Sequence, residues 1–157
     1  MNKLVLRSAS PEDLFDVGRL WARLDRFHRD IGLAFPQPEG AQQAWTASFE
    51  RTLGRFSFLW VAEQDEEICA FLLARLKRTP AFLGGVLVGE ISDLFVDERL
   101  RGQKVGARLV ELAVEQLRAR DVHSIEVQVL HNNVGGLAFW HRLGFELELS
   151  QFRLLLE

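Results

Sequence analysis

The stretch from Val86 to Arg120 constrains the fold more than any other part of the chain. Val86 to Val96 reads as a strand, and Gly102 to Arg120 as a helix with Val105, Leu109, Leu112, Ala113 and Leu117 on one stripe. A strand that runs through so short a turn into an amphipathic helix belongs to a mixed α/β architecture. The turn Arg101-Gly102-Gln103-Lys104-Val105-Gly106 is basic and carries two glycines. The first N–H groups of the helix behind it have no intrahelical acceptor and lie at the positive end of the dipole, a setting that suits a phosphate or pyrophosphate. Gly102 and Gly106 permit close backbone approach, while Arg101 and Lys104 supply charge. On this segment alone, an ordinary strand-to-helix connection with a solvated basic turn fits equally well.

The rest of the chain agrees with one mixed α/β domain over residues 1–157. Leu4-Val5-Leu6 reads as a short strand, and Ser10-Pro11-Glu12-Asp13 as a helix start with a serine cap, proline at the first position and acids in the first turn. That helix runs to about His28, and a second covers about Gly40 to Leu53. Phe56–Glu63 and Ile68–Lys77 form a hairpin about the acidic turn Gln64-Asp65-Glu66-Glu67. A strand is expected at Ile125–Leu130, a short helix at Val134–Arg142, and two closing strands at Phe145–Leu149 and Phe152–Leu156. The expected order is β-α-α-β-β-β-α-β-α-β-β, with no linker, repeat or composition break.

Composition removes several function classes. The 157 residues are one domain on the usual prior of about 150 residues, and 48% hydrophobic with 26% charged residues is globular rather than disordered. Nineteen Lys and Arg against 22 Asp and Glu leave no basic excess, so no nucleic-acid partner is expected. The single Cys69 lies in an apolar run and reads as a buried structural thiol. Met1–Arg7 has too short an apolar stretch for a signal peptide, and no run reaches the roughly 18 residues of a membrane span. A cytoplasmic protein without a membrane partner is therefore expected. The P-loop and dinucleotide fingerprints are absent, as is the G-x-S-x-G elbow. His28, His123, His131 and His141 lack metal-ligand spacing, so no metal is expected. Tyrosine is missing altogether.

A second informative segment, Asn132-Asn133-Val134-Gly135-Gly136-Leu137-Ala138-Phe139-Trp140-His141-Arg142-Leu143-Gly144-Phe145, follows about thirty residues later. Together the two segments resemble the GNAT superfamily of acetyl-CoA-dependent N-acetyltransferases. The family's Q/R-x-x-G-x-G/A pattern reads here Arg101 to Gly106, and its N-x-x-A and F-Y-x-x-x-G-F patterns read Asn133 to Gly136 and Phe139 to Phe145. Two positions depart from the family: Lys104 stands at the usual central glycine, and Trp140 at the usual tyrosine.

The resemblance implies a GNAT-like acyl-CoA N-acyltransferase fold with a splayed, V-shaped strand pair. It implies acetyl-CoA as co-substrate, with backbone groups of Leu94, Phe95 and Val96 on the pantetheine amides. Arg101, Gly102 and the N–H groups of Gln103, Lys104, Val105, Gly106 and Ala107 would hold the pyrophosphate, and Asn133 the pantetheine arm. A homodimer is common in the resembled family. The expected reaction moves acetyl directly from acetyl-CoA to a primary amine, a small molecule ahead of a protein, in a ternary complex. A lysine-like amine, with pKa ~10.4, must lose a proton first. Glu90 is the expected general base, on one face with Ser92, Leu94 and Val96 under strict alternation, whereas Asp93 points the other way. Trp140 occupies the usual general-acid position, yet an indole N–H only donates a hydrogen bond. Phe27, His28, Phe35, Trp45 and Phe49 are expected beside the acceptor. The rival readings are a GNAT-fold acyl-CoA-binding or regulatory module with little turnover, and a nucleotide-binding domain unrelated to CoA.

Overall fold

A computed structural model of the chain describes residues 3–156. Strand β1 (Leu4–Ser8) leads through a 3-10 turn at Pro11–Asp13 into helix α1 (Leu14–Asp30), and α2 (Ala41–Glu50) follows. Ser10 stands at the expected N-cap position: Asp13 accepts its N–H at 2.8 Å, and the Arg7 guanidinium holds the same carboxylate at 2.7 and 3.0 Å. This pair ties β1 to the start of α1. It holds the Asp13 carboxyl at about 2, chiefly through the Arg7 hydrogen bond.

Strands β2 (Ser57–Gln64), β3 (Glu67–Arg78), β4 (Leu87–Val96) and β5 (Ser124–Val127) complete a sheet in the order β1-β2-β3-β4-β5. The first four pair antiparallel, and β4 pairs β5 in parallel. Helix α3 (Val105–Arg118) crosses between β4 and β5, and α4 (Val134–Arg142) follows β5. Both faces of the sheet are covered, which is why β2 and β3 read as unbroken apolar runs rather than alternating ones. Trp60, Leu72, Ile91, Leu109 and Leu117 form the core on the α3 and α4 side. Val17, Phe49, Val61, Phe71 and Leu73 form it on the α1 and α2 side. Cys69 is buried among the first set, as expected of a structural thiol.

One expectation fails. Phe145–Leu149 and Phe152–Leu156 form no strands, and every residue from Glu146 to Leu156 is exposed. Their apolar alternation is strand-like, but a strand exists only where a sheet edge takes its hydrogen bonds, and among the described residues these meet none.

The hairpin turn between β2 and β3 is made by Asp65 and Glu66, both left-handed at φ 53° and 63°. Two such residues in a two-residue loop match a type I′ turn, whose second position favours glycine. Glu66→Gly relieves the strain and is expected to raise stability by about 0.5–1 kcal/mol in denaturant melts.

Candidate active site

The site begins with an irregularity in β4. Its pairing with β3 runs Leu73↔Asp93 and then Ala74↔Ile91, so Ser92 is an extra residue, a β-bulge. The bulge resets the alternation. Ile91, Leu94 and Val96 pack on the α3 side, while Phe95 packs with the α1 and α2 cluster and carries the Arg23 guanidinium 5.0 Å from its ring centroid. The face predicted for Glu90, Ser92, Leu94 and Val96 is therefore split, because strict alternation cannot continue through a bulge.

Beyond the bulge β4 also loses its other neighbour. Pairing with β5 covers only Val88↔Ser124 to Ile91↔Val127. Past Ile91 the two strands part, and a cleft of about 690 Å³ opens between Ile91–Leu94 on one wall and Val127–Val129 on the other. Leu94, Val96, Arg101, Gly102, Lys104, Val105, Gly106, Asn133 and Trp140 all border it. Of the other residues singled out in the sequence, Phe95 faces away, Gln103 is exposed, and neither Ala107 nor Glu90 borders the cleft. Glu90 is instead bound to Lys77 at 3.2 Å, and the same ammonium holds Glu126, directly across on β5.

Asp97 anchors the end of β4. Its carboxylate accepts the Arg99 N–H at 2.9 Å and the Arg23 guanidinium of α1 at 2.8 Å, and its N–H donates to the Cys69 carbonyl at 2.8 Å. The Arg99 N–H and then Arg23 hold its carboxyl at about 2. The chain then turns through Gly102 at φ 83° and Lys104 at φ 57°. The side chain at the usual glycine position is thus tolerated in the left-handed region, at a cost of roughly 1–2 kcal/mol. Lys104 is the N-cap of α3 but its side chain caps nothing, so the first-turn N–H groups face the cleft without a protein acceptor. A Cβ on Gly106 would meet the Phe139 ring at 3.3 Å, which is how closely α3 and α4 approach.

On the far wall Asn133 caps α4, its Oδ1 accepting the Gly136 N–H at 2.9 Å, which leaves Nδ2 as the donor toward the cleft. Trp140 is buried, with the rings of Phe139 and Phe145 edge-on at 5.1 and 5.0 Å. His28 of α1 borders the cleft, its imidazole pushed toward the neutral form by burial, whereas His131 and His141 are exposed and stand outside it.

The group that strict alternation passed over is Asp93. The residue is half-buried and borders the cleft, and its one side-chain donor from another element is the Trp45 indole N–H at 3.4 Å. Desolvation pushes its carboxyl up to about 7, against the weaker pull of Trp45 and Ser92. Trp45 is fixed in turn by stacking on Trp21 at 5.3 Å and by Phe49 and Phe71 edge-on. Of the five residues expected beside the acceptor, His28 and Trp45 come to the cleft or to Asp93, Phe49 is core, and Phe27 and Phe35 are exposed. No group of three His, Cys, Asp or Glu side chains suited to a metal occurs among the described residues, nor does a helix long and apolar enough to cross a membrane.

The acetyltransferase (GNAT) family model matches residues 21–145, a span that holds both walls of the cleft. The chain belongs to this family. An uncharacterised N-acetyltransferase of Methanocaldococcus jannaschii, MJ1207, is 29% identical over 103 residues, 59% of this chain but only 45% of that protein, so the match spans under half of the relative's length. A mutant form of the BH1408 protein of Bacillus halodurans superposes with a TM-score of 0.82 at 28% identity, over 98% of this chain and 99% of the other. A predicted acetyltransferase of Clostridium acetobutylicum, solved with acetyl-CoA, shares the fold at a TM-score of 0.80 and 18% identity, over 98% and 96% of the two chains.

In this family member the raised Asp93 carboxyl has a consequence for stability. The folded state holds a proton that the unfolded state, near pKa 3.9, releases, so stability falls as pH rises from about 4 to about 7. Asp93→Asn removes that loss. Calorimetry is expected to show the variant melting roughly 3–6 °C above the native chain at pH 8 and close to it at pH 4.

Proposed function

We propose that this acetyltransferase transfers acetyl directly from acetyl-CoA to the primary amine of a small molecule, with both held in the cleft at once. The observation that carries the reading is the parted edge of β4: one opening joins unpaired strand groups, an uncapped helix N-terminus and a desolvated carboxyl.

The residues present fit acetyl-CoA. The first-turn N–H groups of α3 with Arg101 and Lys104 would take the diphosphate, as the unsatisfied donors and the charge require. The edge of β4 at Leu94–Val96, without a strand neighbour on that side, would take the amides of the pantetheine arm, and Asn133 Nδ2 would donate further along it. Acetyl-CoA supplies a thioester carbonyl open to an amine.

Asp93 is the general base in this reading. A carboxyl near 7 is half ionised at neutral pH and basic enough to draw a proton from an ammonium through a bound water. Trp45 orients it, and the α1 and α2 side on which both lie is where the amine enters. Glu90, the base expected from alternation, is held by Lys77 outside the cleft and is the second candidate. Trp140 offers an N–H donor and no proton. Departure of the sulfur without a phenol is tolerable because a thiol has a pKa of only ~8.5.

The lack of any tyrosine favours one second reading, an acyl-CoA-binding module with little turnover. Incubation with acetyl-CoA and a panel of amines, following free thiol, separates the two. Thiol release is expected, with kcat rising with pH through about 7. Asp93→Asn is expected to lower kcat by roughly 10²–10⁴-fold and to remove that rise, while Glu90→Gln retains both. Acetyl-CoA binding without thiol release across the panel would establish the module instead.

A further inference from the structure

The cleft opens at the C-terminal end of β4, and the opposite end of the sheet is built from three short segments. These are residues 51–56 before β2, 78–86 between β3 and β4, and 118–123 between α3 and β5. The Phe56 carbonyl accepts the Leu76 N–H at 2.8 Å, and the His123 N–H donates to the Leu87 carbonyl at 2.8 Å. With the strand order β2-β3-β4-β5, these bonds set the segments side by side, the β3–β4 loop in the middle.

This end is basic. Its segments hold Arg51, Arg55, Arg78, Arg118 and Arg120 against one acid, Asp121, in a chain whose net charge is −3. None of these arginines makes an ion pair among the described residues, whereas Arg7, Arg19, Arg23, Arg29 and Arg99 each meet a carboxylate. The negative end of the α3 dipole accounts for Arg118 and Arg120 but not for Arg51, Arg55 and Arg78.

Amid the arginines the β3–β4 loop lifts two apolar side chains into water. Phe82 is 85% exposed and Leu83 63%, and Phe56 on the neighbouring segment is 52% exposed. The loop that carries them is tightly bonded. The Leu83 and Gly85 N–H groups donate to the Pro80 carbonyl at 2.9 and 3.0 Å, and the Val86 N–H donates to the Thr79 hydroxyl at 2.9 Å. That hydroxyl donates to the Leu83 carbonyl at 3.2 Å, and the Arg78 guanidinium donates to the Gly85 carbonyl. Holding a large apolar pair in water does nothing for folding; it pre-forms a surface for a partner.

A partner for this end is anionic at the rim and apolar behind it. A bilayer with acidic headgroups has both properties, the headgroups for the arginines and the acyl boundary for Phe82 and Leu83. Nucleic acid would satisfy the arginines and leave the apolar pair in water. The other exposed apolar run, residues 146–156, carries Glu146 and Glu148 against Arg153 and has no basic rim.

We propose that this end of the molecule docks on an anionic lipid bilayer, with Phe82 and Leu83 as the inserted tip. The attachment is peripheral, and it leaves the cleft at the other end open to solvent.

Co-sedimentation of the whole chain with vesicles tests the proposal. Binding is expected to vesicles of phosphatidylcholine with phosphatidylserine and not to phosphatidylcholine alone. It is expected to fall roughly tenfold or more in about 1 M salt, where the Debye length is about 3 Å. Phe82→Ser with Leu83→Ser is expected to weaken it roughly tenfold or more with unchanged thermal melting, since both side chains are exposed. Arg55→Gln with Arg118→Gln is expected to weaken it roughly tenfold. In Phe82→Trp the added indole should shift its emission to the blue on binding and be quenched by brominated lipid. The proposal is overturned by an absence of binding to the acidic vesicles, by equal binding to neutral ones, or by binding that either pair of substitutions leaves unchanged. An added indole that brominated lipid does not quench overturns it too. So does salt-sensitive binding to duplex DNA without binding to acidic vesicles, which would assign the basic end to nucleic acid.

Discussion

The site depends on where β4 stops being a central strand. Up to Ile91 it is hydrogen-bonded on both sides; from Ser92 onward it keeps β3 and has lost β5. The bulge falls at that point, and a bulge bends its strand and increases the local twist. A strand turned in this way can follow β3 but not the parallel neighbour, so the sheet opens without breaking. The opening is held from both ends. Asp97 fixes the end of β4 to α1 through Arg23, and the Phe139 ring against Gly106 fixes α4 to α3.

Three carboxylates show how the fold assigns charge. Asp13 and Asp97 are both buried, and each has an arginine within 2.8 Å and a backbone N–H donor. Both are held at about 2 and serve as fixed anions that join helix to strand. Asp93 has an indole N–H at 3.4 Å and no arginine in hydrogen-bonding reach, so desolvation wins and the carboxyl rises to about 7. Asp13 and Asp97 are buried and Asp93 half-buried, so all three are withdrawn from water; the partner decides which carboxyl is structural and which can exchange a proton.

Much of this was legible in the sequence because it rests on local rules. Ser10-Pro11-Glu12-Asp13 announced α1, and the helical stripe from Val105 announced α3. The basic turn at Arg101–Gly106 was readable because an uncapped helix N-terminus is a property of the backbone. What escaped was set by neighbours distant in sequence. A bulge depends on the register between β3 and β4, so Ser92 gave no sign of it, and alternation put Glu90 on one face with Leu94 and Val96. Glu90 meets its ammonium, Lys77, only across strands, and Asp93 meets Trp45 from forty-eight residues away. The closing strands were correct as a pattern but not as structure, since alternation specifies a strand's faces and not the edge that receives it.

The sequence by itself therefore determined the order of elements through α4, the basic turn before α3 and the family, because caps, periodicity and motif spacing act within a few residues. Only the tertiary structure decided which carboxylate meets the cleft, where the sheet opens, and that residues 146–156 make no backbone hydrogen bond to the rest of the described residues. Those outcomes depend on strand register and on desolvation, and both are set by contacts between segments that the sequence keeps far apart.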